Sequence, residues 1–230
     1  MLFLRNSSIH VKTLIMIKNT LIKAAKAVRK LYIDTRCRKY LKRLAVQIPE
    51  DASVFAMNCF GGHFSQMLHR EYTTPTAGLF FYASDFNRII EDINVIKRPI
   101  HFIEKSKYGL RDSSQYPIGV FEGTDIEIHF LHYPSPEVAL EKWNRRLARF
   151  NFNKWIAVGF CQNLYNDKTI ADFAALKYPH RVLFTNKTSY PPHVIGCREF
   201  SGLHDSPSAY LKGFVYYRYL TAYLDKYPLT

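Results

Sequence analysis

The sequence has no long hydrophobic run and no paired cysteines. No stretch approaches the roughly 18 consecutive apolar residues of a membrane-spanning helix. The apolar segment TLIMI at 13–17 is followed at once by a lysine and is shorter than a signal-peptide core of about 7 to 15 residues. The four cysteines lie far apart in the chain, which favours reduced thiols in the cytoplasm over a disulfide framework or a zinc ribbon. They are Cys37, Cys59, Cys161 and Cys197.

Acidic residues are almost absent from the first 43 positions. This segment holds 12 Lys or Arg against a single acidic residue, Asp34, and so carries +11 of the chain's +13. The remainder holds 20 basic and 18 acidic residues. We therefore divide the chain into a basic arm at 1–48 and a single, nearly neutral α/β domain at 49–230.

The arm has the pattern of an amphipathic helix. Its apolar residues recur at spacings of three and four, which places them on one stripe: Leu14, Ile17, Leu21, Ala24, Val28 and Leu31. Five basic residues lie off the stripe: Lys18, Lys23, Lys26, Arg29 and Lys30. This pattern favours an anionic membrane surface as the partner of residues 1–43, and hence a peripheral position at the inner face of the cell membrane. Packing of the stripe on the chain's own domain is the alternative. Nucleic acid is not expected, because the arm offers few aromatic rings for stacking.

Short apolar segments alternate with helical patterns after Pro49. The expected strands are 53–58, 77–82, 100–104, 118–122, 126–132, 155–161, 181–186 and 193–199. The expected helices are 63–72, 85–95, 136–150, 167–177 and 208–226. This alternation predicts a layered α/β fold with a mainly parallel sheet, helices on both faces and one antiparallel hairpin. We expect Asp85, Ser135 and Asp167 to cap helices and the EGTD segment at 122–125 to form the hairpin turn.

The segment NCFGGHFSQ at 58–66 has two glycines between an expected strand and an expected helix. Ligands of open α/β sheets bind at the carboxyl ends of strands, and the start of a helix favours an anion. Gly61 and Gly62 with the side chains of His63 and Ser65 therefore make a candidate phosphate site. The alternative is that the glycines only provide a positive φ and close helix–strand packing. Cys59 beside His63 is a candidate nucleophile, although a small buried thiol explains it equally.

A second group of candidate residues lies at 125–133. Strand alternation places Asp125, Glu127 and His129 on one face, either as ligands of a divalent ion or as an exposed polar face. His132 falls on the apolar face, where it is either a hydrogen-bonded core histidine or a catalytic acid or base. Tyr133 follows it directly.

The helix expected at 136–150 carries several arginines. It buries Ala139, Trp143, Leu147 and Phe150 in this interpretation. Arg145 and Arg149 lie one turn apart and can clamp a diphosphate, with Arg146 between them. An exposed, ion-paired helix face accounts for the same residues.

Two segments, 58–90 and 116–151, resemble a bacterial family named domain of unknown function 1919. The similarity rests on the Asn-Cys-aromatic-Gly-Gly and Thr-Pro-Thr-x-Gly motifs, on His132-Tyr133 and on the Trp-x-Arg-Arg helix. It covers roughly residues 50–200 and leaves the arm outside. Family members are often described as exopolysaccharide biosynthesis proteins, because many are encoded in capsule or O-antigen gene clusters. The resemblance therefore implies a role in the assembly of surface polysaccharide.

From these features we expect a transferase that acts on an activated sugar or a lipid-linked glycan, with no cofactor or metal specified. His132 is the expected base, with Asp85 or Glu127 as substitutes. The expected substrate-binding residues are Asn58, Cys59, Gly61, Gly62, His63, Ser65, Tyr133, Arg145, Arg146 and Arg149. A non-catalytic module that binds a glycan or an assembly partner is the main alternative. A hydrolase or acyl transferase that uses Cys59 is a third.

Overall fold

A computed structural model gives the structure of the protein. It describes residues 35–109, 113–187 and 192–229, with the backbone alone at 209–211, and also residues 20, 23, 24, 28 and 31. Seven strands occur in this part of the chain: β1 Ser53–Ala56, β2 Ile100–Ile103, β3 Ile118–Phe121, β4 Glu127–His129, β5 Trp155–Phe160, β6 Arg181–Thr185 and β7 Val194–Gly196. The helices there are α1 35–47, α2 Phe60–Met67, α3 Ala83–Glu91, α4 Pro136–Leu147, α5 Asp167–Ala175 and α6 Ala209–Lys226. Two short 3-10 helices lie at Ile93–Lys97 and Arg198–Phe200.

The first sheet is parallel and has the strand order β1-β5-β6-β7. Every residue of β1, β5 and β6 is buried. Continuous apolar strands are typical of a parallel sheet with both faces covered, because neither face can then remain polar. The expected α/β class and the mainly parallel sheet are confirmed.

The second sheet is antiparallel and has the order β2-β3-β4. The expected turn at 122–125 joins β3 to β4, with Gly123 at φ +70° and a hydrogen bond from the Thr124 N–H to the Phe121 carbonyl of 3.1 Å. A positive φ is the conformation for which a tight turn selects glycine. The expected hairpin is therefore confirmed, and β2 extends it to a separate three-stranded sheet.

Some element boundaries differ from the prediction. Residues 77–82 form no strand; Phe80 alone makes an isolated antiparallel bridge to His129. Helix α3 begins after Tyr82, so Asp85 lies inside its first turn and is not the N-cap. Asn166 caps α5 in place of Asp167, and it forms a reciprocal pair of hydrogen bonds with Thr169. Ser135 caps α4 as expected.

Two hydrophobic clusters lie on the two faces of the parallel sheet. On β1, Val54 and Ala56 belong to one cluster, whereas Phe55 and Met57 belong to the other. Helices α1, α2 and α6 cover the first face. Helices α3, α4 and α5 and the second sheet cover the opposite face. The expected helices on both faces are therefore present.

Helix α1 packs along α6. Its buried residues recur at helical spacing: Cys37, Leu41, Leu44 and Ile48. Arg43 forms an ion pair of 2.7 Å with Asp225, and the Gln47 amide donates to the Thr221 carbonyl. The last part of the arm, residues 37–48, thus packs into the domain core.

The described arm residues ahead of α1 are helical and exposed. Val28 and Leu31 of the apolar stripe are 69% and 66% exposed, so these two residues do not pack on the domain. Leu14, Ile17 and Leu21 of the same stripe lie outside the described residues. Nowhere in the described residues is a helix long and apolar enough to cross a membrane.

The glycine pair lies inside helix α2, which begins at Phe60, three residues earlier than expected. A Cβ atom at Gly61 would lie 2.7 Å from the Val54 carbonyl oxygen, and one at Gly62 would lie 2.7 Å from the Ala77 Cβ. Both glycines therefore allow close packing, as one of the two interpretations held. Neither of them has the positive φ that the same interpretation offered.

A Gly61→Ala variant tests this packing. Alanine within a helix is ordinarily more favourable than glycine by about 1 kcal/mol. Here the methyl group meets rigid backbone, so we expect the free energy of unfolding to fall by about 1–3 kcal/mol instead. Urea unfolding followed by circular dichroism measures it.

Gly213→Ala is the matched comparison for that variant. Its nearest neighbour is a Tyr217 ring carbon at 3.3 Å, which can shift, so we expect a much smaller loss of stability. A Gly61→Ala protein as stable as wild type would contradict the close approach of α2 to β1.

Candidate functional site

A cleft of about 660 Å³ lies at the carboxyl ends of β1 and β5. Asn58 follows β1, and Gln162 and Asn163 follow β5, at this edge of the sheet. Parallel strands that end together leave a crevice there, because the chain leaves each strand toward a different helix. The start of α2 forms one wall, and the α4 helix with the loop before it forms the opposite wall.

Asn58 fixes the turn between β1 and α2. Its Oδ1 accepts from the Phe60 N–H at 3.0 Å, and its Nδ2 donates to Gln162 Oε1 at 3.0 Å. Gly61 and Gly62 lie in the first turn of α2. N–H groups of a first turn have no carbonyl acceptor within the helix, because no helical residue lies four positions before them. The positive end of the α2 dipole thus lies beside the cleft.

Four of the residues expected around the glycine pair line the cleft: Asn58, Cys59, Gly62 and His63. His63 is held in place by Tyr217, whose hydroxyl lies 2.8 Å from His63 Nδ1. Gly61 and Ser65 do not line the cleft. The Ser65 hydroxyl is buried and donates to the Gly61 carbonyl at 3.1 Å, so it is not available to a phosphate.

Cys59 lines the cleft in an environment that opposes a nucleophilic role. Its Sγ lies 3.8 Å from the Leu79 carbonyl oxygen, and burial raises the pKa of the thiol above its ordinary value. A catalytic cysteine needs a lowered pKa, because the thiolate is the nucleophile. The structure thus weighs against the hydrolase or acyl transferase that uses Cys59.

Arg146 is the central cation of the α4 wall. One guanidinium nitrogen donates to the Ala77 carbonyl at 2.9 Å and to the Tyr133 hydroxyl, and the guanidinium carbon lies 4.9 Å from the Tyr72 ring centroid. Tyr133 in turn donates to the Ala77 carbonyl, and burial raises the pKa of its hydroxyl. Lys142 lies nearby, with its ammonium 5.7 Å from the Tyr133 ring centroid.

Arg145, on α4, and Arg149, two residues after its end, do not line the cleft. Arg145 is exposed and pairs with Glu141 at 3.2 Å. Arg149 donates to the Tyr72 carbonyl at 2.9 Å and pairs with Glu71 at 2.8 Å. The expected diphosphate clamp between these two arginines is therefore wrong for this cleft, since Arg149 is bound to the loop at 71–72.

His132 lines the cleft with an exposed side chain. The expectation of a buried core histidine is wrong, because β4 ends at His129 and the chain then turns. The turn is visible in two hydrogen bonds, from the Leu131 N–H to the His129 carbonyl and from the Tyr133 N–H to the Phe130 carbonyl. Strand alternation no longer applies beyond His129. The role of His132 as a base remains a prediction.

Asp85 and Glu127, the two substitute bases, lie in a buried carboxylate network outside the cleft. Asp85 is fully buried and accepts from the Lys107 ammonium at 2.8 Å and from the Glu127 N–H at 3.0 Å. Burial raises the pKa of Asp85, and the hydrogen bond from Lys107 opposes that rise. Glu127 accepts from the Ser106 hydroxyl and the Lys107 N–H, each at 2.6 Å, and lies 3.1 Å from His129 Nε2.

This network also corrects both interpretations of the polar face at 125–129. Glu127 and His129 are 1% and 0% exposed, so of the three residues only Asp125 is solvated. Across the residues that the structure describes, no group of three or more His, Cys, Asp or Glu side chains is placed to hold a metal ion. Asp125 instead accepts from Arg88 at 2.6 Å and from Lys107 at 3.1 Å, which lowers its pKa to about 2.

Several lining residues were not predicted from the sequence. They supply three rings, Tyr72, Phe80 and Tyr116, and three amides, Gln66, Gln162 and Asn163. Gln162 and Asn163 directly follow β5, so the strand-end rule that selected Asn58 would also have found them. The three rings come from loops, whose positions depend on contacts distant in sequence.

The cleft has a distinct chemical character. Two cations, Lys142 and Arg146, and two imidazoles, those of His63 and His132, line it. No Asp or Glu occurs among its described lining residues. Positive side chains with no opposing carboxylate favour an anionic ligand. The aromatic rings and the amides suit the faces and hydroxyl groups of a polar, ring-shaped molecule.

The fold and this cleft define a mixed α/β protein with a cleft at the carboxyl edge of its parallel sheet. The chain belongs to the family described as Domain of unknown function (DUF1919), whose model matches residues 26–201. The resemblance had indicated that the whole arm lies outside the family region. The match begins well before residue 50, however, so the second half of the arm lies inside it.

A protein of Haemophilus influenzae strain Rd, named only as an uncharacterized protein, is 30% identical to this chain over 140 residues. The similarity covers 60% of this chain and 63% of that protein, which is less than two thirds of its length. Because that protein is itself named only as uncharacterized, no activity can be carried over from it.

A Lys107→Met variant tests the buried carboxylate network. It leaves the Asp85 carboxylate buried without its ammonium partner, and breaking a buried pair on one side costs about 3–5 kcal/mol. We expect a loss near the lower end of that range, because the Lys107 side chain is 31% exposed. Chemical unfolding measures it.

Lys105→Met, an exposed position in the same loop, is the matched control and should leave stability nearly unchanged. Adding Asp85→Asn to Lys107→Met should recover part of the loss, because the amide carries no charge. Equal stability of the two lysine variants would show that the network does not depend on this pair.

Proposed function

We propose that the protein is a transferase of surface-polysaccharide assembly that binds a phosphate-bearing sugar in the cleft between α2 and α4. The observation that carries the proposal is the lining of that cleft, in which two cations, two imidazoles and several amides surround a space without any described carboxylate. The resemblance to proteins described as acting in exopolysaccharide biosynthesis supplies the biological setting.

The phosphate group would bind between α2 and Arg146. The Arg146 guanidinium donates hydrogen bonds to the Ala77 carbonyl and the Tyr133 hydroxyl from one nitrogen. The N–H groups of its other nitrogens are suited to phosphate oxygens. The first turn of α2 contributes backbone N–H groups and the positive end of its dipole. Lys142 adds a second mobile charge on the same wall.

The sugar would lie against the rings and amides. Tyr72, Phe80 and Tyr116 offer apolar faces, while Asn58 and Gln66 offer donors and acceptors for hydroxyl groups. A site that combines apolar walls with a few polar groups can fix the orientation of a ligand that has both kinds of surface.

His132 would serve as the general base in the transfer step. It takes the proton of the acceptor hydroxyl, and the acceptor oxygen forms a bond to the anomeric carbon of the donor. The bond between that carbon and the phosphate oxygen breaks, and its electron pair leaves with the phosphate. Arg146 and Lys142 stabilise the negative charge that develops there.

A hydrolase of glycosidic bonds fits the cleft less well. That chemistry ordinarily uses two carboxyl groups that flank the bond, and the two buried carboxylates that the sequence suggested, Asp85 and Glu127, lie outside the cleft lining. The same lack of a described carboxylate favours the second candidate function, a non-catalytic module that binds a glycan phosphate for an assembly complex.

The arm would hold the protein at an anionic bilayer. Its charge of +11 over residues 1–43 and the exposed apolar side chains of Val28 and Leu31 are the two features that such a surface selects. Each basic residue near an anionic leaflet contributes about 1 kcal/mol of binding. This position gives the protein access to the lipid carriers on which surface glycans are built.

An Arg146→Gln variant tests phosphate recognition. A hydrogen bond to a charged group is worth about 1.5–3 kcal/mol, so we expect affinity for a sugar phosphate or a sugar diphosphate to fall by about 10- to 100-fold. Isothermal titration calorimetry of the full chain measures the dissociation constant.

Arg145→Gln is the matched control, because it removes one positive charge from the adjacent, exposed position of α4. It should retain wild-type affinity. Equal losses in both variants would mean that general charge, and not the cleft, attracts the ligand.

A His132→Ala variant separates the two candidate functions. For a transferase, removal of the base should lower kcat by about 10²- to 10⁴-fold with little change in ligand affinity. His101→Ala, an exposed histidine on β2, should leave turnover unchanged. The assay measures product formed from nucleotide-linked and lipid-linked sugar donors.

Full turnover by the His132→Ala protein would remove this residue from the mechanism. Arg146-dependent binding without turnover of any donor by the wild-type protein would replace the transferase with the binding module.

A further inference from the structure

The cleft and the first turn of helix α1 lie at the same end of helix α6. Ser208, which immediately precedes α6, lines the cleft, and a Cβ atom at Gly213 would lie 3.8 Å from the cleft residue His63. One residue further along, the Phe214 ring lies 4.9 Å below the guanidinium carbon of Arg36. The first turn of α1 therefore borders the part of α6 that borders the cleft.

Helix α1 runs away from the cleft in the same direction as α6. Its later residues, Arg43 and Gln47, contact Thr221 and Asp225 near the end of α6. The start of α1, at Arg36, is consequently at the cleft end of the domain. Leu31 lies five residues earlier, so its backbone is within roughly 18 Å of Arg36 even if the intervening chain were fully extended.

The surface at this end has the chemistry of a bilayer contact. Val28 and Leu31 are exposed apolar side chains, and Lys23 is an exposed basic one. Exposed basic side chains also lie on the first turns of α1: Arg36, Arg38 and Lys39. Leu131, which lines the cleft, is itself 42% exposed. Charge complementarity to an anionic leaflet selects the membrane as the occupant of this surface.

We propose that the cleft faces the bilayer and that its substrate is a glycan attached through phosphate to a membrane lipid, and not a water-soluble sugar nucleotide. This inference rests on the proposed function and adds the class of substrate to it. The phosphate of a lipid-linked glycan is confined to the membrane surface, and the arm brings the cationic wall of Arg146 and Lys142 to the same surface. A sugar nucleotide diffuses in from water and gains nothing from that placement.

The first experiment measures which end of the domain meets the membrane. A cysteine carrying an environment-sensitive fluorophore is introduced at Leu131 on the cleft, or at Val46, which is 80% exposed near the far end of α1. The native Cys37, Cys161 and Cys197 are buried, and the wild-type cysteine background is labelled as a control. Both variants carry Cys59→Ser, so that labelling at the cleft thiol does not interfere. The full chain is mixed with phosphatidylcholine vesicles containing about 30 mol% phosphatidylglycerol, which supply the anionic surface.

We expect the probe at Leu131→Cys to shift to the blue on these vesicles and to become about three- to fivefold less accessible to an aqueous quencher, as burial at the interface requires. The probe at Val46→Cys should not change. Protection of Val46→Cys alone, or protection of neither probe while the chain sediments with the vesicles, would overturn the inferred orientation. A chain that does not sediment with them would overturn it as well.

The second experiment distinguishes the substrate class. Binding of the full chain to neutral phosphatidylcholine vesicles is compared with and without a small fraction of a polyprenyl diphosphate sugar. Binding of a nucleoside diphosphate sugar that carries the same sugar is measured in solution. The Arg146→Gln and Arg145→Gln variants accompany both measurements.

We expect the lipid-linked sugar to increase vesicle binding about tenfold or more. Arg146→Gln should lose most of that gain, because it removes one charge-assisted contact to the phosphate. Arg145→Gln should lose none of it. Arg146-dependent binding of the nucleotide sugar alone would overturn the inference and leave the proposed function intact. Binding of neither ligand would overturn both.

Discussion

The close approach of helix α2 to strand β1 is the constraint on which the cleft depends. The two elements are so near that a methyl group at Gly61 would lie 2.7 Å from a β1 carbonyl oxygen, and one at Gly62 would meet Ala77. The approach fixes where the first turn of α2 lies. It also fixes the loop at 76–79, whose Ala77 carbonyl accepts hydrogen bonds from both Arg146 and Tyr133. The two walls of the cleft are thus joined through one short loop.

The charges of the domain are separated into two environments. The carboxylates of Asp85 and Glu127 are buried with Lys107 and Ser106, and they hold the loop after β2 against α3 and the second sheet. Lys142 and Arg146 of α4 face the cleft, where no described carboxylate opposes them. This separation leaves the positive potential of the cleft available to a ligand, because an acidic group on its lining would neutralise it.

Local sequence patterns predicted most of the fold. The alternation of apolar segments with helical ones correctly indicated the parallel sheet, the helices on both of its faces and the hairpin turn at 122–125, since each depends on residues close together in the chain. The start of α2 was misplaced because two adjacent glycines are typical of a turn. Their actual role, contact with Val54 and Ala77, depends on the packed structure.

The candidate site was predicted less completely, and for a related reason. Asn58, Cys59, Gly62, His63, His132, Tyr133 and Arg146 reach the cleft, as the motifs suggested. Arg149 and Arg146 look equivalent in sequence, yet one binds the loop at 71–72 and the other lines the cleft. Likewise, nothing local to Glu127 shows that Ser106 and the Lys107 N–H will occupy its carboxylate. Partners distant in sequence decide such roles.

The tether that holds Arg146 has a consequence for the entropy of ligand binding. An arginine that is free in solution loses rotamer freedom when it engages an anion, which costs about 0.5–1.5 kcal/mol for a long side chain. Arg146 is already ordered by Ala77, Tyr133 and the Tyr72 ring before any ligand arrives. Its immobilisation is part of folding, so an anion that enters the cleft meets a preorganised donor and retains more of its interaction energy as affinity.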